Sequence, residues 1–215
     1  MKLIVFDVDG TLVDSQNLIN AAMASAFEGA GLAPLPMSTV LSIVGLSLPQ
    51  AIARLAPGAD ATTQARIVEG YKESFMGARK SDPAPLYPGA RDCLDRLRPR
   101  EDALLGIATG KSRRGLDAML AHHDLARHFV TAQVADDHPS KPHPSMLYRA
   151  LAETGARQAV MIGDTVFDIE MAANAGVPAI GVSWGYHPAE ALAAAGAMAV
   201  VEDYAALSAA LEEWL

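Results

Sequence analysis

The sequence predicts an α/β protein with a parallel sheet, helices on both faces of that sheet and an inserted all-helical unit. Two observations support this prediction. From residue 89 onward, short apolar runs alternate with segments of helical periodicity, a pattern typical of parallel strands joined by helices. A further apolar run at the N-terminus is separated from these strands by residues 14–85, which show helical signals and no convincing strand.

The first predicted strand is the apolar run Leu3-Ile4-Val5, which leads into Phe6-Asp7-Val8-Asp9-Gly10-Thr11-Leu12. Apolar residues followed by a polar, glycine-containing turn are typical of a buried strand that ends there. If side chains alternate here as on a strand, Asp7 and Asp9 point the same way. Two such carboxylates are costly unless a cation lies between them, although Asp-Gly is also common turn chemistry.

The inserted unit is predicted to begin with a helix that Asp14-Ser15 caps and that ends near Gly29–Gly31. Shorter helices are expected at 38–44 and 48–55, and a longer one at 60–79. Prolines at positions 83, 85 and 88 mark the connection back to the sheet. We therefore expect a main domain of residues 1–13 and 86–215 and an inserted helical domain of residues 14–85.

The remainder of the chain supplies the other strands and their connecting helices. Helices are predicted at 89–97, 112–122, 145–153, 167–175 and 188–195, and strands at 104–108, 129–134, 159–162, 179–182 and 199–201. In open parallel sheets, ligands bind at the carboxyl ends of the strands.

Composition excludes several classes of protein. A net charge of −8 without a long Lys/Arg block argues against a nucleic-acid partner. The single Cys93 excludes an intrachain disulfide and suits a reducing compartment. Asp7 interrupts the opening apolar run too early for a signal peptide, and the longest apolar stretch, 191–201, is too short to span a bilayer. We expect a cytoplasmic protein without a membrane partner.

Polar side chains of useful types follow four of the predicted strands. In chain order they are Asp7 and Asp9 after the first strand, Thr109 after the second, Lys141 in the loop after the third, and Asp164 and Asp168 after the fourth. Clustered carboxylates with one hydroxyl and one lysine, gathered at one sheet edge, are what phosphoryl transfer through an aspartyl intermediate needs.

Each of these residue types has a chemical part in such a reaction. Asp7 could attack phosphorus as a nucleophile, and Asp9 could protonate the leaving oxygen and then activate water. A hard divalent cation, best Mg²⁺, would hold Asp7, Asp164 and a phosphoryl oxygen together. Thr109 and Lys141 would bind the other phosphoryl oxygens.

These segments resemble the motifs of the haloacid dehalogenase superfamily of hydrolases. Asp7-Val8-Asp9-Gly10-Thr11-Leu12-Val13-Asp14-Ser15 resembles its first motif, Thr109-Gly110 its second, Lys141-Pro142 its third, and Gly163-Asp164-Thr165-Val166-Phe167-Asp168 its fourth. They occur in the family's order, with the helical insert between the first two. The similarity spans essentially the whole chain and is strongest for the phosphoglycolate-phosphatase-like branch.

The resemblance implies a Rossmann-like core, a mobile helical cap and Mg²⁺-dependent hydrolysis of a phosphomonoester. The substrate would be a small phosphorylated metabolite, with 2-phosphoglycolate as the first candidate. By matching position, Asp7 is the nucleophile, Asp9 is the acid/base that also coordinates metal through its main-chain carbonyl, and Asp164 is the metal carboxylate. Dehalogenation is disfavoured because the dehalogenating members lack an aspartate at the position of Asp9.

The remaining matched residues would bind the phosphoryl group or support the site. Thr109, with Gly110 behind it, and Lys141 are implied to bind phosphate. Asp168 is implied to support the metal site through water or by orienting Lys141.

Two other functions fit parts of the pattern. A sugar-phosphate phosphotransferase or mutase would use the same core residues and differ in how well the cap excludes water. A phospho-acceptor signalling module also combines aspartates, a Thr and a Lys on a parallel sheet. Its acidic pair and its phospho-acceptor lie on different strands, however, and its length leaves no room for a helical insert.

Other residues have both a functional and a plain structural interpretation. Lys111, Arg113 and Arg114 could mark an anion site or a solvated helix end. The segment 136–143 is expected to be a polar loop rather than a transition-metal site. Gly45-Leu46-Ser47 is a candidate loop for reaching into the site, and Tyr71 and Lys72 could face the substrate, although helix packing is the better prediction for Tyr71. Cys93 is expected to be inert core filling.

Overall fold

A single parallel sheet forms the centre of the computed structural model, which describes residues 1–81 and 83–215. Its strands are β1 (Lys2–Phe6), β2 (Ala103–Thr109), β3 (Thr131–Val134), β4 (Gln158–Gly163), β5 (Ala179–Val182) and β6 (Ala199–Val201). All neighbouring strands pair in parallel, in the order β3-β2-β1-β4-β5-β6. The predicted α/β class and its Rossmann-like sheet are confirmed, and β1 lies in the interior of the sheet.

Helices cover both faces of the sheet and build the insert. They are α1 (Gln16–Gly29), α2 (Met37–Leu41), α3 (Leu48–Leu55), α4 (Ala61–Ser81), α5 (Ala90–Leu97), α6 (Arg113–His122), α7 (Ser145–Thr154), α8 (Val166–Ala175), α9 (Ala189–Ala194) and α10 (Tyr204–Trp214). A short 3₁₀ turn at Ala126–His128 and α10 were not predicted. The apolar periodicity of α10 is diluted by alanines, although Asp203 accepts a capping bond from Ala206 N–H at 2.7 Å.

Alternating side chains of β1 divide the core into two layers. Ile4 and Phe6 pack on one face of the sheet with residues of α5, α6 and α10. Leu3 and Val5 pack on the other face with residues of α7 and α8. Because both faces of the strand are covered, its sequence is apolar throughout rather than alternating.

Helices α1 to α4 share an apolar cluster of their own, which includes Ile19, Met23, Phe27, Ile52 and Ile67. The two chain segments that join them to the sheet lie side by side. Val13 and Leu86 form an antiparallel bridge, and Asp14 N–H donates to the Pro85 carbonyl at 2.9 Å. We propose that residues 14–85 are a separate cap domain hinged at this bridge.

The predicted side-chain cap of α1 is wrong. Ser15 occupies the N-cap position, but its hydroxyl makes no bond to the helix backbone. It donates instead to the Asp9 carboxylate at 2.5 Å, and this charge-assisted bond holds the hydroxyl toward the site.

No helix in the described part of the chain is long and apolar enough to cross a membrane.

Candidate active site

The predicted polar residues meet at the carboxyl edge of the sheet. Asp7, Thr109, Lys141, Asp164 and Asp168 are all buried. Asp7 lies directly beyond β1, where its backbone N–H still donates to the Ile162 carbonyl of β4 at 2.9 Å. The ends of β1, β2 and β4 therefore bring these side chains into one region, as the topology requires.

Lys141 is a completely buried cation between two carboxylates. Its Nζ atom lies 3.1 Å from Asp7 Oδ1 and donates to Asp168 Oδ1 at 2.5 Å. The other oxygen of Asp168 accepts from the Thr165 backbone N–H at 3.1 Å and from the Thr165 hydroxyl at 2.7 Å. Both Asp168 oxygens are thus used inside the protein, and the contact with Lys141 is direct.

The charges of this cluster do not cancel. Burial raises the pKa of Asp7 to about 7, against the lowering effect of Lys141 and with a further contribution from Asp168. Burial, followed by the charges of Asp168 and Asp7, raises the pKa of Asp164 well above its ordinary value. For Lys141 burial would lower the pKa, but Asp168 and Asp7 outweigh it and the pKa is raised.

Asp164 sits in a tight cradle of backbone and hydroxyl groups. Its Oδ1 atom accepts from the Thr11 hydroxyl at 2.9 Å, and Oδ2 accepts from Tyr186 N–H at 2.9 Å. A Cβ added at Gly10 would lie 2.1 Å from Asp164 Oδ2, and one at Gly185 would lie 2.2 Å from Asp164 Cβ. The two glycines therefore allow the backbone to enclose this carboxylate.

This chemistry fits a hard divalent cation. Asp7, Asp164 and Asp168 each offer an oxygen within 4.8 Å of the others. Asp7 Oδ1 is buried and, apart from its ion pair with Lys141 at 3.1 Å, makes no hydrogen bond among the described residues. Mg²⁺ prefers such carboxylate oxygens, and its charge would offset the excess negative charge. Asp168 accepts three hydrogen bonds, one of them from the Lys141 ammonium, whereas Asp164 accepts only one on each oxygen, so Asp7 and Asp164 are the better-placed ligands.

Asp9 has a different environment from Asp7. Its Oδ1 atom lies 2.8 Å from Lys111 Nζ and accepts from Ser15 at 2.5 Å. The Ser15 hydroxyl also lies 3.0 Å from the Tyr186 hydroxyl. The Lys111 ammonium lies over the Phe75 ring of α4, 5.0 Å from its centroid. Lys111 is therefore an internal partner of Asp9, not a solvated helix end.

The segment Gly45-Leu46-Ser47 lies against the core beside the site. A Cβ at Gly110 would be 2.7 Å from the Gly45 carbonyl oxygen, so that only glycine permits this approach without a shift. Ser47 N–H donates to the Ser140 hydroxyl at 2.8 Å, next to Lys141. The segment and the core residues line one cavity of about 600 Å³, which also includes Asp7, Asp9 and Thr109.

Comparison with known proteins identifies the family. Residues 4–182 match the family described as haloacid dehalogenase-like hydrolase. The chain belongs to this family. It is 34% identical over 229 residues to a phosphoglycolate phosphatase from Rhodospirillum rubrum, covering 100% of this chain and 90% of that protein. It is 32% identical over 209 residues to "Probable phosphatase IndB" of Dickeya dadantii, covering 94% of this chain and 90% of that protein.

Solved structures agree with the family assignment. The structure of a hydrolase from Pseudomonas syringae superposes on this haloacid dehalogenase-like chain with a TM-score of 0.88. The two chains are 25% identical, and the match covers 99% of each. The predicted family and its fold, including the helical insert, are therefore confirmed over essentially the full length.

Several other candidates have structural roles. His138 bonds to Ser145 at 2.8 Å and to Gln133 at 2.9 Å, and the acidic and histidine residues of 136–143 form no candidate metal group among the described residues. Cys93 is buried, and burial raises the pKa of its thiol. Tyr71 stacks on Phe75 with ring centroids 5.5 Å apart, as helix packing requires, but it also lines the cavity.

Two hydrogen-bond partners of Asp164, Thr11 and Tyr186, were not predicted from the sequence. Thr11 lies inside the first motif but was given no role, and the loop after β5, which carries Gly185 and Tyr186, was not considered. Its position after a parallel strand was the available signal, because that loop must emerge at the same edge as Asp164. The backbone N–H that Tyr186 contributes has no signature in a sequence.

Proposed function

We propose that this chain is a Mg²⁺-dependent phosphomonoester hydrolase that works through an aspartyl-phosphate intermediate on Asp7. The observation that carries the proposal is the environment of the Asp7 carboxylate. It is buried, its Oδ1 atom has no hydrogen-bond partner among the described residues, and Lys141 Nζ lies 3.1 Å away. A nucleophilic carboxylate needs an oxygen that hydrogen bonds do not occupy, near groups that bind phosphoryl oxygens.

In the first step an Asp7 oxygen attacks phosphorus and the ester P–O bond breaks. Asp9 gives its proton to the departing alcohol oxygen. In the second step Asp9 takes a proton from water, whose oxygen attacks the aspartyl phosphate. Inorganic phosphate leaves and the Asp7 carboxylate is restored, so each turnover consumes one ester and one water.

The other residues bind and position the phosphoryl group. Thr109 and Lys141 would hold its non-bridging oxygens, where charge is spread in the transition state. Mg²⁺ between Asp7 and Asp164, assisted by the Asp9 carbonyl, would neutralise charge that otherwise repels the phosphoryl group. Asp168 would keep Lys141 in place through the direct contact at 2.5 Å.

Named relatives suggest where to begin with substrates. The relative in Rhodospirillum rubrum is named phosphoglycolate phosphatase, so 2-phosphoglycolate is the first ester to test among small phosphorylated metabolites.

The test is phosphate release from a panel of small phosphomonoesters, with Mg²⁺ and again with excess chelator. We expect chelator-sensitive release that Asp7→Asn reduces by about 10³-fold or more, with an unchanged circular dichroism spectrum because the substitution is nearly isosteric. Retention of wild-type turnover by folded Asp7→Asn would contradict the nucleophile assignment. Transfer of the phosphoryl group to a sugar with no phosphate released would favour a mutase instead.

A further inference from the structure

We propose that the cavity under the cap is an apolar chamber that selects phosphomonoesters with an apolar body larger than a two-carbon acid. This inference rests on the proposed phosphomonoesterase activity and assigns its substrate class. By "chamber" we mean the cavity of about 600 Å³ that opens onto Asp7, Asp9 and Thr109. Cavities of this size enclose ligands far larger than 2-phosphoglycolate.

The walls of the chamber are apolar. They are formed by side chains of α1, of the 43–46 segment and of α4, which include Ile19, Met23, Ile43, Val44, Phe75 and Met76. The first four of these are buried although they line the cavity. They therefore border the chamber while most of their surface packs inside the cap or against the core.

Charged residues of the chamber lie mainly at its rim. Lys72 and Glu69 pair at 2.7 Å, and their side chains are 53% and 66% exposed. Arg114 and Asp136 are also exposed. Arg79 is half-buried, and its guanidinium donates to the Gly115 carbonyl at 3.5 Å. The rim carries both signs of charge, so it offers no strong preference for an anionic tail.

The cap is docked on the core in this arrangement, so the volume is that of the site with cap and core in contact. Besides the Ser47–Ser140 bond, the His187 Nε2 atom lies 3.2 Å from the Ser42 carbonyl oxygen. Ile43, Leu46 and Ala51 of the cap pack against Phe167 of the core. These contacts hold the 42–47 segment on the core while the chamber stays open behind it.

The affinity that apolar walls add to an ester depends on how much apolar surface the ester buries against them. A two-carbon acid has almost no apolar surface, so the walls add nothing to its binding. Each methylene that enters the chamber removes apolar surface of the ester and of the chamber wall from water. Full burial of one methylene corresponds to about a fourfold gain in binding.

The experiment compares two matched series of esters. One series is the n-alkyl phosphates from ethyl to octyl, whose leaving alcohols have nearly constant basicity, so that only the size of the body changes. The other carries a terminal carboxylate at each length, with 2-phosphoglycolate as its shortest member. We expect kcat/KM to rise about two- to fourfold per methylene in the neutral series, and each neutral ester to exceed its carboxylated match.

Binding is measured independently of turnover. Titration calorimetry with n-alkylphosphonates should show affinity that rises with chain length, with an increasingly negative heat-capacity change. If folded protein with Mg²⁺ hydrolyses no ester, the proposed function fails, and these affinities alone still decide whether the chamber is apolar.

A matched pair of variants locates the effect. Met76→Gln keeps the side-chain length but makes the wall polar, and it should lower the octyl-to-ethyl ratio of kcat/KM about tenfold. Met198→Gln makes the same change at a side chain that is 57% exposed and lies outside the chamber, and it should leave the ratio unchanged.

Three outcomes would overturn the proposal. They are a flat or falling trend with chain length, a preference for the carboxylated ester at every length, and an equal effect of the two methionine variants.

Discussion

At the residue scale, aspartates of the same cluster differ in which oxygens remain available. Asp168 accepts three hydrogen bonds, one from Lys141 and two from Thr165, whereas Asp7 Oδ1 has the ion pair with Lys141 at 3.1 Å and no hydrogen bond among the described residues. Asp164 accepts two bonds, one on each oxygen, from a hydroxyl and a backbone N–H, so each of its oxygens can still accept a further ligand. The distinction that the resemblance implied between a metal ligand and a supporting residue thus has a physical basis in these bonds, although both roles stay proposals.

This difference predicts unequal effects on metal binding. Asp164→Asn should weaken Mg²⁺ binding by about 100-fold or more because it removes a charged ligand, whereas Asp168→Asn should weaken it about tenfold through displacement of Lys141. Calorimetric titration of each folded variant with Mg²⁺ measures both. Equal losses, or a greater loss for Asp168→Asn, would contradict the assignment of Asp164 as the ligand.

The chemistry of individual residues also explains which site residues could be predicted from the sequence. Asp7, Asp9 and Asp164 were predictable because charged side chains that directly follow apolar strands are rare without a reason. Lys141, a loop lysine, was predicted only from its place in the ordered set of motifs. Tyr186 was not, because its contribution to Asp164 is a backbone N–H. Lys111 was left open between two readings, because nothing in its sequence neighbourhood specifies that Asp9 lies 2.8 Å away.

At the element scale, periodicity predicted nearly every strand and helix, but not how the cap meets the core. The two come together where Gly110, after β2, touches the 45–47 segment. Gly110 was predicted as part of a motif and the segment as a loop that reaches the site. Their contact is a long-range property that neither local pattern contains, and α10 shows that even a local pattern fails when alanines weaken it.

Gly110→Ala is predicted to disturb cap docking without unfolding the protein. The new Cβ would lie 2.7 Å from the Gly45 oxygen and 2.8 Å from the Leu46 oxygen, which are backbone atoms that cannot rotate away. The segment must shift, and a displacement near 1 Å costs about 100-fold in rate.

The measurement is kcat/KM on the best ester, together with thermal unfolding. Gly29→Ala is the matched control, because its Cβ would meet nothing within 4 Å and alanine favours a helix. It should preserve activity. Wild-type activity in Gly110→Ala would show that this contact does not control the site.

At the scale of the whole molecule, the buried carboxylates make stability depend on pH. Burial raises the pKa of Asp7 from 3.8 to about 7. Between these values the folded state binds more protons than the unfolded state, so the contribution of Asp7 to the free energy of unfolding falls as pH rises through this window. Above it, the folded protein holds an ionised carboxylate in an unfavourable place.

We therefore predict that metal-free wild-type protein loses stability relative to Asp7→Asn between about pH 4 and pH 7, by on the order of a few kcal/mol. Thermal unfolding in chelator across this range measures the difference, and titrating groups that are not coupled to Asp7, such as His187, cancel between the two proteins. Mg²⁺ at pH 8 should raise the wild-type Tm more than that of the variant. A difference in Tm that does not change with pH would contradict the prediction that ionisation of buried Asp7 destabilises the folded state.

The order of the strands in the sheet also has a consequence for how the chain is made. β1 leaves the ribosome first, yet its two neighbours begin at Ala103 and Gln158. The strand that leads to Asp7 must therefore remain unpaired, with Leu3 and Val5 uncovered, until the cap and then the partner strands have been synthesised. A chain that terminates before β4 would present an apolar, unpaired strand edge, the kind of surface on which proteins aggregate. The same central placement that buries Asp7, the proposed nucleophile, in the folded protein makes incomplete chains prone to aggregate.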